Sequence, residues 1–484
     1  MRTTPRGQWV LGFMLTLLAL IFAVVAFGLA LRIWPTCQDC NTICTACNAS
    51  CNNQSGKITM IITDNNTLTG INGTLNITGL CGIHTDIDSS GNLTISDLRE
   101  LSKYIVGQDN CSEFTTPQDA YNQAISDGVT AATIYIKPGI YTFGDTLFPI
   151  TTPGITFSGL PGGNVIFMSN ATTGGISVTT PLDMVNFVIF QGITFGGIGD
   201  TNGFLLNVTS GQTVITGCFC LNSNWRIGMG DGAALTIRDS QLNTLPPSDF
   251  ITGIGTDFSV LIENVDMYVT QGVVGGHVIN APLGFDNITI FTCDIWLNFY
   301  DGLIAGPLSG STSNNLVLIR LSEIAETIFA APIFPTHLIL QNGPINVNLY
   351  FNVINVDGYI LYQNVNSVTA DVHNLLMAYN NVETGNSTIR LDVSVIGGVN
   401  DINLFHNRLN SVNVQDYLYI PTATAGDGLN IKLVFTSIET TAISGEYCLG
   451  PQPAITANYL VAGSIHLGGA TVCNGVTQTN VAFL

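Results

Sequence analysis

The sequence predicts a mainly β chain wound as a parallel β-helix, with an apolar N-terminal helix and a small calcium-loop module ahead of it. Three observations predict this. Glycine is abundant, 51 of 484 residues, while only 10% are charged, a composition that argues against a helical bundle. An eight-residue phrase, apolar at positions 1, 3 and 8, recurs at near-constant spacing. A helix-then-strand stretch ending in a Pro-Gly corner stands before the first copies.

Residues 1–34 come first. The run Val10 to Leu31 is 22 residues without a charge, long enough at about 1.5 Å per residue to cross a bilayer core. Arg2 and Arg6 precede it and only Arg32 follows closely, so the positive-inside bias keeps the N-terminus cytoplasmic. The expectation is a single-pass membrane protein whose bulk is extracytoplasmic, lumenal or on a virion membrane. Twelve cysteines and eleven N-x-S/T sequons, Asn48, Asn76, Asn170 and Asn287 among them, fit that side of a membrane. The net charge of −20, with 13 Lys plus Arg, leaves no basic face for phosphates, so nucleic acid is excluded as a partner.

Residues 35–57 form a cysteine-rich stalk. Cys37, Cys40, Cys44, Cys47 and Cys51 alternate spacings of three and four, the a/d period of a coiled coil. Three readings stand: a parallel oligomeric stalk, a trimer being one form, cross-linked between chains; an irregular knot of intrachain disulfides; or a four-cysteine zinc site.

Within residues 58–112, the stretch DIDSSGNLTISDLRELSKYI reads as a calcium loop entering a helix. Calcium takes its oxygens from loop positions 1, 3, 5, 7, 9 and 12, with glycine at 6. Those positions are Asp86, Asp88, Ser90, Asn92, Thr94 and Asp97, with Gly91 at the turn, and Leu98, Leu101 and Ile105 would line the exiting helix. A loop with an exiting helix only, followed by L-x-x-L-x-K-Y-I, resembles one repeat of a dockerin domain, which implies bound Ca2+. Cys81 and Cys111 bracket the unit as a candidate disulfide.

Residues 113–440 carry the repeat. In TTPQDAYNQAISDGVTAATIYIKPGIYTF, Ala120, Ala124 and Ile125 make a short amphipathic helix, and TIYIKPGIYTF alternates like a strand. The phrase then recurs in LTIRDSQL, VLIENVDM, ITIFTCDI, VLIRLSEI, VNLYFNVI, LLMAYNNV, INLFHNRL and IKLVFTSI, ending at Leu242, Met267, Ile295, Ile324, Ile354, Val382, Leu409 and Ile438. Positions 1 and 3 point inward, a bend follows, and position 8 re-enters the core. Weaker copies end at Ile193 and Leu221. Position 6 holds Asn352, Asn380 and Asn407 in successive coils, an expected amide ladder. The cap-and-coil pattern resembles right-handed parallel β-helices of the pectate lyase and pectin lyase-like superfamily. Residues 441–484 lose the phrase and are expected to form a C-terminal cap, closed by Cys448 and Cys473.

Position 7 aligns Asp266, Asp294 and Glu323 on three neighbouring rungs, and Trp296 follows as a sugar-stacking candidate. Three carboxylates about 5 Å apart repel unless a cation or a proton sits among them, and retaining glycosidases use a carboxylate pair at about that separation. The resemblance to pectate lyases would call for an arginine base above calcium-binding aspartates, and to polygalacturonases for D-D, G-H-G and R-x-K. Only echoes stand here, Gly276-His277-Val278 and Asn264-Val265-Asp266. The six histidines read mostly as surface or turn residues. The leading expectation is therefore a membrane-anchored, non-enzymatic structural or surface protein, of a spike, adhesion or virion kind. Its partners would be protein neighbours and glycans. The alternative is a membrane-tethered glycoside hydrolase or polysaccharide lyase using Asp266, Asp294 and Glu323.

Overall fold

A computed structural model describes residues 83–87, 93–97, 103–440 apart from several internal stretches, 455–462, 465–467 and 477–483. The chain divides into two compact units, Met1–Ile95 and Ser96–Leu484. Strands Ile83–Ile87 and Leu93–Asp97 pair as a two-stranded sheet.

The second unit is a parallel β-solenoid of the right-handed type. Each coil contributes up to three strands, as in Asn287–Phe291, Asp294–Trp296 and Gly302–Ala305, and every coil pairs in parallel with the next. The first two strand columns belong to one 26-stranded sheet, because strands such as Ser259–Tyr268 run through the corner between them. The third column is a separate sheet of eleven strands.

The repeat phrase sets this register. Leu242, Met267, Ile295, Ile324, Ile354, Val382, Leu409 and Ile438 are each the Cα partner of the next. From Leu242 to Leu409 all of them are buried, and each fully buried aliphatic side chain contributes about 1.5–3 kcal/mol. The bend falls at position 5, where Asp239, Asn264, Thr292, Leu321, Phe351, Tyr379, His406 and Phe435 all take left-handed backbone, φ between 47° and 60°. Just past the bend the expected ladder forms inside the wall. Asn380 Oδ1 accepts from the Asn352 amide at 2.9 Å, and Asn407 Oδ1 accepts from the Asn380 amide at 3.0 Å.

The two weaker copies are misread in the sequence. Phe195, not Ile193, pairs with Cys220, and Cys220, not Leu221, pairs with Leu242. Their bends use Gly192 and Gly217, both at positive φ, so the side chain that marks position 5 elsewhere is missing.

Helix α1, Pro117–Ser126, packs on the first rungs, strands Ile105–Val106 and Ala132–Ile136. Thr116 caps it, accepting from the Asp119 amide at 3.1 Å, with Pro117 inside the first turn. Its buried face is Ala120, Tyr121 and Ala124; Ile125, expected on that face, is exposed. Parallel stacking continues past Thr440, where the phrase stops. Ile455–Ala462 pairs with Gly426–Val434, and Thr477–Phe483 pairs with Ile455–Ala462 in turn.

Several expectations need correction. The proposed span Val10 to Leu31 lies outside the described residues, and among the described residues no helix is long and apolar enough to cross a membrane. The single-pass localisation is corrected accordingly. Ile105 is not on an exiting helix but in a buried strand paired with Tyr135 in the first rungs of the solenoid. Leu93–Asp97 is extended, so Thr94 and Asp97 are not carried into the first turn of a helix as the calcium loop requires. No dockerin-like module is seen among the described residues.

Candidate functional site

The acidic row forms as its spacing predicts. Asp266 is the Cα partner of Asp294, and Asp294 of Glu323. Asp266 and Asp294 are partly buried, whereas Glu323 is exposed. Two aromatic residues join the row. Trp296 Nε1 donates to Asp294 Oδ1 at 2.8 Å, and the rings of Tyr268 and Trp296 meet edge to face with centroids 5.8 Å apart. Desolvation, then the charges of Asp266 and Asp294, hold the Tyr268 phenol above its ordinary range, and its hydroxyl hydrogen-bonds Asp266. The result is a carboxylate–aromatic strip two coils wide.

Of the calcium ligands read from the sequence, Asp86 lies in strand Ile83–Ile87 and Thr94 and Asp97 in Leu93–Asp97. Asp88, Ser90 and Asn92 lie outside the described residues. Among the described residues no group of three or more His, Cys, Asp or Glu is arranged to hold a metal ion. Cys37, Cys40, Cys44, Cys47, Cys51, Cys81, Cys111, Cys448 and Cys473 also lie outside them. Cys218 and Cys293 are buried, and burial pushes Cys218 up to about 12 and Cys293 up to about 11, so neither serves as a thiolate nucleophile.

A second cluster sits on the third strand column, one corner along the coil from the acidic row. His277 opens strand His277–Asn280, its Cα partner is Gly302, and the Cα partner of Gly302 is His337. Because Gly302 has no side chain, histidines two coils apart reach each other. A Cβ there would lie 2.7 Å from His337 Cδ2 and 2.8 Å from His337 Nε2. The two Nε2 atoms are 3.0 Å apart with ring centroids at 5.2 Å, so the rings point at one another almost head-on. That is the geometry of a shared proton, not of two ligands converging on an ion.

Asp249 braces the pair from behind. Its Oδ1 accepts from the His277 amide at 2.7 Å, and its Oδ2 accepts from Asn280 Nδ2 at 2.7 Å. His277 Nδ1 is 3.8 Å from Asp249 Oδ1. Burial alone would raise the Asp249 pKa, but the hydrogen bonds from His277 and Asn280 and the pull of His277 outweigh it and hold the carboxyl below its usual range. The network therefore assigns the His277 proton to Nδ1, facing an ionised Asp249, and makes His337 Nε2–H the donor to His277 Nε2. On its far side His337 packs against Tyr362, centroids 6.1 Å apart.

The sequence reading missed this cluster, taking the histidines for surface or turn residues. A signal was present. His277-Val-Ile, Gly302-Leu-Ile, His337-Leu-Ile and Tyr359-Ile-Leu all open third-column strands, but that column's period is broken by loops of changing length.

No family model matches the chain, and no curated protein matches it. Among solved structures, the chain is similar to the Azotobacter vinelandii mannuronan C-5 epimerase AlgE4 A-module at 11% identity and a TM-score of 0.41, covering 75% of this chain and 94% of that one. It is likewise similar to the AlgE6 A-module of the same organism at 12% identity and a TM-score of 0.38, again over 75% and 94%. At such low identity and superposition neither likeness bears on function, which rests on the site alone.

Proposed function

We propose that this chain is a carbohydrate-active enzyme that works on a neutral polysaccharide, with His277 and His337 as its acid–base pair and the Asp266–Asp294 strip as its sugar platform. The observation that carries the reading is the head-on pair at 3.0 Å, oriented by an ionised Asp249. A solenoid wall gains little stability from two histidines meeting across a glycine. As a proton relay the arrangement is coherent: as His337 takes a proton from the substrate at Nδ1 it passes Nε2–H to His277 Nε2, so His337 stays neutral and Asp249 stabilises the imidazolium that forms at His277.

The platform supports the substrate class. Parallel coils repeat about every 4.8 Å, so they present side chains in rows suited to a repeating polymer. Aromatic faces stack on sugar rings while carboxylates accept from hydroxyls. A net charge of −20 disfavours an acidic polymer. Proton removal from a sugar carbon beside an ester carbonyl, with the glycosidic oxygen leaving from the next carbon and taking up a proton, would make the enzyme a lyase, and proton delivery to the leaving oxygen followed by attack of water a hydrolase.

A structural role remains the second reading, favoured by the exposed stack of Phe351, Tyr379, His406 and Phe435, whose neighbouring ring centroids are 4.9 to 5.0 Å apart. In that reading the partners are protein neighbours. Incubation with a panel of neutral polysaccharides, scoring new reducing ends against unsaturated ends, separates hydrolase, lyase and inert protein. His337→Gln should lower kcat by about 10²-fold or more, and Asp294→Asn should raise KM. A wild-type protein that turns over no polysaccharide, or a His337→Gln variant as active as wild type, would overturn the proposal.

A further inference from the structure

Strand alternation turns Glu326 inward. It lies two residues beyond the buried Ile324, and Leu297 and Val356 hold the equivalent place in the coils before and after it. Those neighbours are apolar and fill the interior, yet here the solenoid encloses a carboxyl that is 6% exposed. An isolated charge would be costly there, so its partners matter. Glu326 Oε2 accepts from the Asp357 amide at 3.1 Å, and the Thr336 hydroxyl also hydrogen-bonds the carboxyl. Thr336 is itself buried and immediately precedes His337. Its carbonyl accepts from the Tyr359 amide at 3.1 Å, while the His337 amide donates to the Asp301 carbonyl at 3.0 Å.

We propose that Glu326 is a positioning residue: from inside the solenoid its carboxyl holds Thr336, and through Thr336 it fixes the start of the strand from which His337 reaches His277. The catalytic part of this inference rests on the enzymatic reading above; the structural part does not. Two further facts support it. The carboxyl reaches the strand start by a side-chain bond, which none of the equivalent Leu297 and Val356 side chains can make. Thr336 has hydrogen bonds on both its hydroxyl and its carbonyl, so the peptide before His337 is held from two coils. Burial, with a smaller push from the charge of Asp357, raises the Glu326 pKa against the two hydrogen bonds it accepts, as expected of a carboxyl enclosed with few partners.

The test uses Glu326→Leu, which copies the neighbouring coil, and Glu326→Gln, which keeps the shape and the acceptor. The readout that a merely structural role would not move is the shared proton of the histidine pair, followed by NMR of histidine labelled with 15N. Glu326→Leu should fold, lose that signal, and lower kcat about 10-fold or more with KM little changed, while Glu326→Gln should retain the signal and stay within about threefold of wild type. Thr336→Val cuts the same link from the other end and should reproduce the loss if Glu326→Leu does not fold. A signal that persists in Glu326→Leu or in Thr336→Val overturns the proposal. Loss of the signal in a protein that turns over no polysaccharide supports the positioning role and overturns only the enzymatic reading.

Discussion

Asn380 gives the sharpest test of how the coils are held together. Its side chain is buried and makes four hydrogen bonds. Oδ1 accepts from the backbone amide of Asn352 at 2.9 Å and from Asn352 Nδ2 at 3.0 Å. Nδ2 donates to the Leu349 carbonyl at 2.9 Å and to Asn407 Oδ1 at 2.9 Å. Asn380→Ala deletes all four and leaves the Asn352 amide buried without its acceptor, a group that costs about 1–3 kcal/mol unpaired. The other three losses bring the expected destabilisation to roughly 3–5 kcal/mol. Asn380→Ser should cost less, because the same position takes Ser322, whose Oγ accepts from the Cys293 amide at 3.2 Å, so a hydroxyl can keep the backbone acceptor. Hydrogen exchange at the Asn352 amide is the suitable assay, since solenoid coils open locally and global unfolding would average the effect away. Equal protection in the Ala and Ser variants, or a loss under about 1 kcal/mol for Ala, would refute the ladder as a source of stability.

Two further outcomes follow from the histidine cluster. Gly302→Ala sets a methyl against the His337 carbonyl oxygen as well as its Cδ2 and Nε2, so the rung must shift locally and the shared-proton signal should be lost; a retained signal would mean that the absent side chain is not what lets the rings meet. Because Asp249 has a lowered folded pKa, the stability it contributes is present above the ordinary aspartate value of about 3.9 and is lost as pH falls through the folded value. The urea-midpoint gap between wild type and Asp249→Asn should therefore be full at pH 6 and narrow toward pH 3, and a gap that widens on acidification would contradict the assignment.

How much was legible depended on whether a residue repeats. The phrase fixed the register of Leu242 through Ile438 because an inward apolar residue at each rung is demanded by the core. Asn352, Asn380 and Asn407 were legible for the same reason: three identical residues at one position imply a ladder. Where the bend is glycine, as at Gly192 and Gly217, the phrase loses its marker and the reading slipped by two residues and by one. The acidic row was legible as a register position, but the bonds from Trp296 and Tyr268 that make it a strip were not. The extended backbone of Leu93–Asp97 overrode a local loop signature that would otherwise end in a helix.

The histidine pair shows the limit of that logic. His277 and His337 are 60 residues apart and separated by a whole coil, so neither local pattern nor nearest-rung register brings them together. Their meeting depends on a negative feature, the missing side chain of Gly302 in the rung between them. A regular solenoid rewards like residues on neighbouring rungs, because like residues stack; the run Phe351, Tyr379, His406 and Phe435 follows that rule. A site needs unlike residues converging, which requires the ladder to be interrupted. Breaks in a column are therefore better guides to chemistry in this fold than its repeats. Gly302 between two histidines and Glu326 between Leu297 and Val356 are two such breaks in neighbouring coils, bordering the two ends of the same loop-bearing corner.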